Sequence, residues 1–374
     1  MSNFVQLKAN YAFIDTPYDM IYVCRGMADL NSSSSNLPTM CAFSHILGIL
    51  SAYLFPIIGG FGIISNVLIC FVFMVKYSKK TRQTVFLSIL SIADIFYIFS
   101  FGWLWIFPAK GLPYASEGAV YLFVLNLSEM SCRFYRSFYL TCSTWTIGAF
   151  FMVCLDRLLA IYFPLKIMKF SYKFGIYVSL GMFFLCLVFT NIQSLFFQWI
   201  KMGTKLFCIF PIDFSPMLSD FLTIWRILFV NAGVIPLALI ILINISLIFK
   251  ITIGQKDMMK IAEGSKKNFR KEMKATVVVL ILSICFLFGS VPNLALFFIV
   301  TYLQGQISSN PSAQDQVQIL FNLGDIGSNI TFLMESVNIF IYYSKMKRFR
   351  QEIKSIFRIN SKKSLNQFNV SSTL

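Results

Sequence analysis

The chain alternates between long apolar stretches and short polar, basic ones. Seven stretches are long and apolar enough to span a bilayer, which takes about 20 mostly apolar residues. They lie at 47–76, 84–108, 129–163, 173–199, 222–250, 273–301 and 316–344. The third and seventh are the most polar. No internal repeat relates the stretches, so an inverted-repeat transporter is disfavoured. The pattern predicts an all-α membrane protein, a seven-transmembrane helix bundle. It divides the chain into an extracellular tail (1–46), the bundle (47–344), an amphipathic cytoplasmic helix (345–357) and a cytoplasmic tail (358–374).

Composition agrees with the pattern. Of 374 residues, 57% are hydrophobic, 17% aromatic and 13% charged. Soluble domains carry about 25% charged residues. The net charge of +16 would suit nucleic acid only if it were clustered, but the basic residues fall in blocks between apolar runs. Such blocks suit loops against an anionic inner leaflet and argue for no nucleic-acid partner. With the N-terminus outside, the inner segments and adjoining helix ends hold 24 of the 32 Lys and Arg residues. That bias places the C-terminus in the cytoplasm. Residues 1–45 lack the basic start and apolar core of a cleavable leader, so the first span is expected to direct insertion. After the seventh span, Met346, Phe349, Ile353 and Phe357 recur at helical spacing among Lys and Arg, the pattern of a helix lying on membrane lipid.

Candidate chemistry is confined to a few positions. The single His, His45, leaves no His-based catalysis, and no metal-ligand cluster, phosphate loop or nucleophile–base pair appears. The chain is not expected to be an enzyme. Asn31 and Asn126 begin N-glycosylation sequons, while the same pattern at Asn244, Asn329 and Asn369 falls in membrane or cytoplasm. Cys132, at the start of the third span, and Cys208, in the loop before the fifth, share the outer side, where disulfides persist. A bridge between them would tie that loop over the bundle mouth. Cys24 and Cys41 could form a second pair.

In FMVCLDRLLAIYFPLK (151–166), Asp156 and Arg157 stand side by side in an apolar segment. Ionised groups inside a membrane are expensive and are usually paired or functional. From Cys132 to Arg157 the helix runs about 37 Å, slightly more than a hydrocarbon core. With Cys132 at the outer face, the charged pair reaches the inner face.

That arrangement resembles the rhodopsin-like G-protein-coupled receptors, which have Cys atop the third helix and Asp-Arg-Tyr at its foot. Here the element reads Asp156-Arg157-Leu158. Further likenesses are Asn66 in GIISNVLIC, Asp94 in LSIAD, Pro236 in VIPLALIILIN, Pro292 in FLFGSVPN, and Asn338-Ile339-Phe340-Ile341-Tyr342 in the seventh span. Within that family, SVNIFIYYSKMKRFR is similar to invertebrate neuropeptide receptors of the FMRFamide-receptor type. The chain departs from the family at Leu158, at Ser290 where most members have Trp, and at Asn244 where many have Tyr.

The resemblance implies binding of a short, amidated extracellular peptide and activation of a heterotrimeric G protein at the plasma membrane, with kinases and arrestin acting on the C-terminal tail. It implies G-protein activation through Asp156, Arg157, Asn338 and Tyr342. It also implies a polar cluster of Asn66, Asp94 and Asn338, with a sodium ion near Asp94. Glu335, one turn from Asn338, adds a second carboxylate. Glu272 projects level with Arg157 and is expected to hold it. From the same anchors, Trp105, Arg136, Tyr139, Trp225, Asn293, Phe297 and Ser328 are expected to line the ligand site, with Glu129, Asp213, Asp220 and Asp325 near its mouth. Two rivals remain: a chemosensory receptor for small molecules on the same fold, and a seven-helix channel or transporter. The Asp-Arg element and the amphipathic tail helix argue against the channel.

Overall fold

The computed structural model describes residues 16–29, 36–167, 169–194, 196, 198–202, 205–209, 216–229, 233–257, 263–304 and 312–357. A short helix, Pro17–Asp29, precedes the bundle. The first three spans are Leu37–Lys76, Arg82–Ala115 and Glu129–Tyr162. The fourth is Tyr172–Ser194. The fifth is built from Pro216–Phe229 and Val234–Asp257. The sixth is Glu263–Gln304. The seventh is Ser312–Ser336, continued by Asn338–Lys345. Six of these helices are long and apolar enough to cross a membrane, and the seventh is not among them. Its polar residues explain that: Asn322, Asp325, Asn329, Glu335 and Asn338 interrupt its hydropathy, and they turn into the bundle rather than toward lipid.

Helix boundaries follow local chemistry. Thr81 accepts a hydrogen bond from the Thr84 amide, and Thr84 Oγ1 accepts one from the Thr81 amide at 3.0 Å, closing a reciprocal cap on the second helix. Ser128 accepts from the Ser131 amide at 3.0 Å and starts the third helix,. The first helix begins at Leu37, ahead of the apolar stretch that defines its span. Its extra turns pack on Pro17–Asp29, and the Cys24–Cys41 disulfide joins the two.

The residues before the fifth helix contribute the described strands. β1 (Gln198–Met202) pairs antiparallel with β2 (Lys205–Ile209), and Trp199 faces Cys208. Aromatic and β-branched residues flank Gly203-Thr204, a sequence suited to a hairpin. The hairpin delivers Cys208 to Cys132, and the two are disulfide-bonded with Cα atoms 5.4 Å apart.

The largest buried cluster occupies the Arg157 half of the bundle. Phe73, Leu87, Leu90, Phe150, Leu282 and Tyr342 meet there. A helix over 347–357 closes it. Phe349 is fully buried, with its ring 5.4 Å from that of Phe73, and Ile353 is buried beside it. Phe357, expected on the same face, is exposed, and Ile356 packs in its place. The final turn therefore presents its neighbouring position to the core. Arg348 stacks over Tyr77 at 4.2 Å and donates to Ser78 Oγ at 3.1 Å. Burial pushes the Tyr77 hydroxyl up to about 12, so the ring under Arg348 stays neutral. On the opposite surface, Ile57, Phe61, Ile64, Phe71 and Val75 of the first helix are exposed at helical spacing. This is the apolar face a bilayer would cover.

Candidate functional site

The described site residues fall into three zones along the bundle axis. At the Arg157 end, Asp156 sits between two arginines. It is ion-paired to Arg157 on its own helix and to Arg82 on the second, and all three side chains are nearly buried. Arg157 Nε also donates to Asp156 Oδ2 at 3.2 Å. Arg82 Nη1 donates to the Ile167 carbonyl at 2.9 Å, fixing the turn after the third helix. The pairing of Asp156 with Arg82 was not legible in sequence, because Arg82 reads as one more basic residue of a solvated loop. The Glu272 side chain lies outside the described residues.

Toward the middle of the bundle, Asp94 and Asn338 meet. Asn338 Nδ2 donates to Asp94 Oδ2 at 3.3 Å. Asn66 Nδ2 donates to the Gly62 carbonyl at 3.0 Å and to the Glu335 carbonyl at 3.4 Å, linking the first and seventh helices. Asp94, Glu335 and Asn338 line one chamber of about 10 Å³. That is room for about one water or small ion. Glu335 is 6% exposed. Its Oε2 has no hydrogen-bond partner among the described residues. Two buried carboxylates in one small space call for a cation or a shared proton. An all-oxygen donor set suits a hard cation, so the residues present fit the sodium ion that the resemblance implies. Asp94, Glu335 and Asn338 would hold it, and it would offset one of the two carboxylate charges, leaving the other to a proton.

Toward the disulfide end, a cavity of about 210 Å³ opens among the third, fifth, sixth and seventh helices. Tyr139, Asn293, Phe297 and Ser328 line it. Trp105, Arg136 and Trp225 do not line it. The reason for Trp105 is the winding of the second helix, which is π-helical over Ile98–Gly111. Counted from Asp94 at about 100° per residue, Trp105 would return to within about 20° of the bundle-facing side. At about 82° per residue over the π-helical stretch, it ends about 105° away. Trp105 packs instead beside the Cys132–Cys208 disulfide. The same winding brings Lys110 from about 160° to about 55° of that side. There Lys110 is buried and ion-paired to Asp325 at 3.3 Å.

Trp225 belongs to the first piece of the fifth helix, so its phase does not follow from Pro236. It turns to the fourth helix, donating Nε1 to the Phe189 carbonyl at 3.1 Å, with ring contacts to Phe189 and Phe229. Ile227 and Gly233 line the cavity in its place. Arg136 is half-buried in the third helix. Glu129 is exposed and paired to Arg133 at 2.7 Å. Asp220 is exposed, and Asp213 lies outside the described residues, as does Asn31. Asn126 ends a short turn before the third helix, at the disulfide end.

The chain matches the family described as 7 transmembrane receptor (rhodopsin family) over residues 65–342. No curated protein matches it.

Proposed function

The chain belongs to the rhodopsin family of 7 transmembrane receptors, and we propose that it receives a short extracellular peptide and passes the signal to a heterotrimeric G protein. The family is one of receptors, not enzymes or channels. The observation that carries the proposal is the separation of two sites within one bundle. An aromatic cavity lies at the disulfide end, and a buried arginine pair lies at the other. Tyr139, Phe297 and Asn293 offer an amidated C-terminus apolar surface and hydrogen-bonding groups, the usual make-up of a ligand site. At the other end, Arg157, released from Asp156, would present its guanidinium to the G protein. Tyr342 and Asn338 connect the two ends along the seventh helix.

In this reading the chain sits in the plasma membrane with the disulfides outside. Asn31 and Asn126 are glycosylated, a sodium ion rests at Asp94, and kinases and arrestin act on 358–374. The size of the cavity favours a second reading. About 210 Å³ is below the usual 300–1,000 Å³ of drug-sized sites, so a small external molecule would fill it as well as a peptide's end.

The test is a screen of amidated peptides and small amphipathic molecules on cells expressing the chain, with calcium and cyclic-AMP readouts. A peptide that signals through wild type but not through Arg157→Ala at equal surface level is expected. Responses to small molecules alone would replace the peptide reading with the chemosensory one. Normal signalling by Arg157→Ala would sink the proposed route to the G protein.

A further inference from the structure

The cavity at the disulfide end and the chamber at Asp94 share three wall residues: Phe286, Thr331 and Glu335. Glu335 is therefore both the floor of the upper space and a wall of the lower one. Ser290, one turn above Phe286 on the sixth helix, also lines the upper cavity. Its small side chain leaves space beside the shared wall that an aromatic side chain would fill.

The charge on the lining has one sign. Among the described lining residues of the upper cavity, Asp325 and Glu335 are acidic, and none is Lys, Arg or His. They lie about 15 Å apart along the seventh helix. Asp325, Ser328, Thr331 and Glu335 follow one another at spacings of three and four, so they form one polar stripe. Facing it are Tyr97, Phe101, Tyr139 and Phe286. Asp325 already has a cation, Lys110. Glu335 makes no ion pair among the described residues. A buried carboxylate beside a second one requires a positive partner or a proton, and aromatic walls favour a cation with an apolar body.

We propose that the two spaces form one binding site, in which a guanidinium or ammonium group of the ligand docks on Glu335 and displaces the monovalent cation held with Asp94. The proposal rests on the receptor reading and adds the chemistry of the ligand's recognised group. Glu335 is then a specificity-determining residue: it selects cationic ligands and makes binding compete with sodium.

The experiment uses the full chain, purified in nanodiscs, with phenethylguanidinium chloride and its neutral isostere phenethylurea as probes. The readout is the thermal unfolding midpoint across a concentration series in N-methylglucamine buffer. Phenethylguanidinium is expected to raise the midpoint, and phenethylurea to leave it in place. Added NaCl should shift the guanidinium titration to higher concentration, and equal N-methylglucamine chloride should not. Glu335→Gln should weaken the apparent affinity at least tenfold, while Glu117→Gln, at an exposed position, should not change it. Ser290→Trp should abolish the guanidinium response and keep stabilisation by sodium, which serves if Glu335→Gln does not fold. Equal stabilisation by both probes, no response to either, unchanged affinity in Glu335→Gln, or absence of sodium competition would each overturn the shared site. Agonist-driven signalling dependent on Arg157, measured separately in cells, decides the receptor reading whichever way these titrations fall.

Discussion

At the scale of single residues, Asp156 is held from two sides at the Arg157 end. One carboxylate serves two guanidinium groups, with 3% of its side chain exposed. Removing one partner of a buried ion pair leaves an uncompensated charge and costs about 3–5 kcal/mol. Asp156→Asn should therefore lower the unfolding midpoint. It should also raise basal signalling, because Arg157 loses its restraint. A released constraint worth 1–3 kcal/mol shifts a two-state population by roughly 5- to 150-fold. Arg157→Ala should show the opposite pattern: ligand binding retained, agonist-driven signalling lost. Basal and stimulated cyclic AMP, normalised to surface level, check both outcomes. Basal activity no higher in Asp156→Asn than in wild type would mean that Arg82, rather than Arg157, is the residue Asp156 restrains.

At the scale of helices, contacts depend on small residues and on winding. Gly62 of the first helix lies against Ser336 of the seventh, and a Cβ there would collide with the serine hydroxyl. That close approach lets Ser65 Oγ donate to the Ser336 carbonyl at 3.2 Å and Asn66 reach the Glu335 carbonyl. Gly62→Leu should push the helices apart and destabilise the fold by about 1–3 kcal/mol, the usual cost of overpacking. A lower unfolding midpoint in nanodiscs checks it. The hairpin depends on a covalent tie: Cys132 and Cys208 are 76 residues apart in sequence. Cys208→Ser should cost about 2–5 kcal/mol and reduce surface expression. Unreduced peptide mapping of the wild type should recover Cys132 linked to Cys208 and Cys24 linked to Cys41. Recovery of free thiols at these positions would contradict the pairing.

At the scale of the whole molecule, the two ends differ in charge and in covalent chemistry. Both disulfides lie at one end, and most of the Lys and Arg residues among the described residues lie at the other. An oxidising exterior and an anionic inner leaflet would both put the disulfide end outside, the orientation proposed above. An epitope at the N-terminus should be labelled on intact cells, and one at the C-terminus only after permeabilisation. The reverse labelling would invert the topology and move the ligand cavity to the cytoplasm. The Arg157 half is packed with aromatic and aliphatic side chains, closed by Phe349, whereas the disulfide half holds the cavity. A receptor needs that division: a firm seat for the intracellular partner and an accessible space for the ligand.

The sequence by itself determined the architecture, because membrane spans are long and a solvent that cannot hydrogen-bond the backbone leaves few alternatives. Seven spans, the basic bias and the distance from Cys132 to Arg157 follow from length, composition and helical rise alone. Tyr139, Asn293, Phe297 and Ser328 were legible as cavity residues because their helices wind regularly between anchor and site. Trp105, Lys110 and Trp225 were not. A stretch of π winding in the second helix and the separate first piece of the fifth change the phase without any mark in the hydropathy. Glu335 was visible as a second carboxylate near Asp94, but its place as floor of the cavity needed the sixth helix beside it. Only packing could show that Ser290 lines the cavity above that floor. Likewise, Arg82 became the partner of Asp156 only when the second helix was placed against the third. Periodicity fixes which residues share a face of one helix, and only the tertiary fold decides which faces meet.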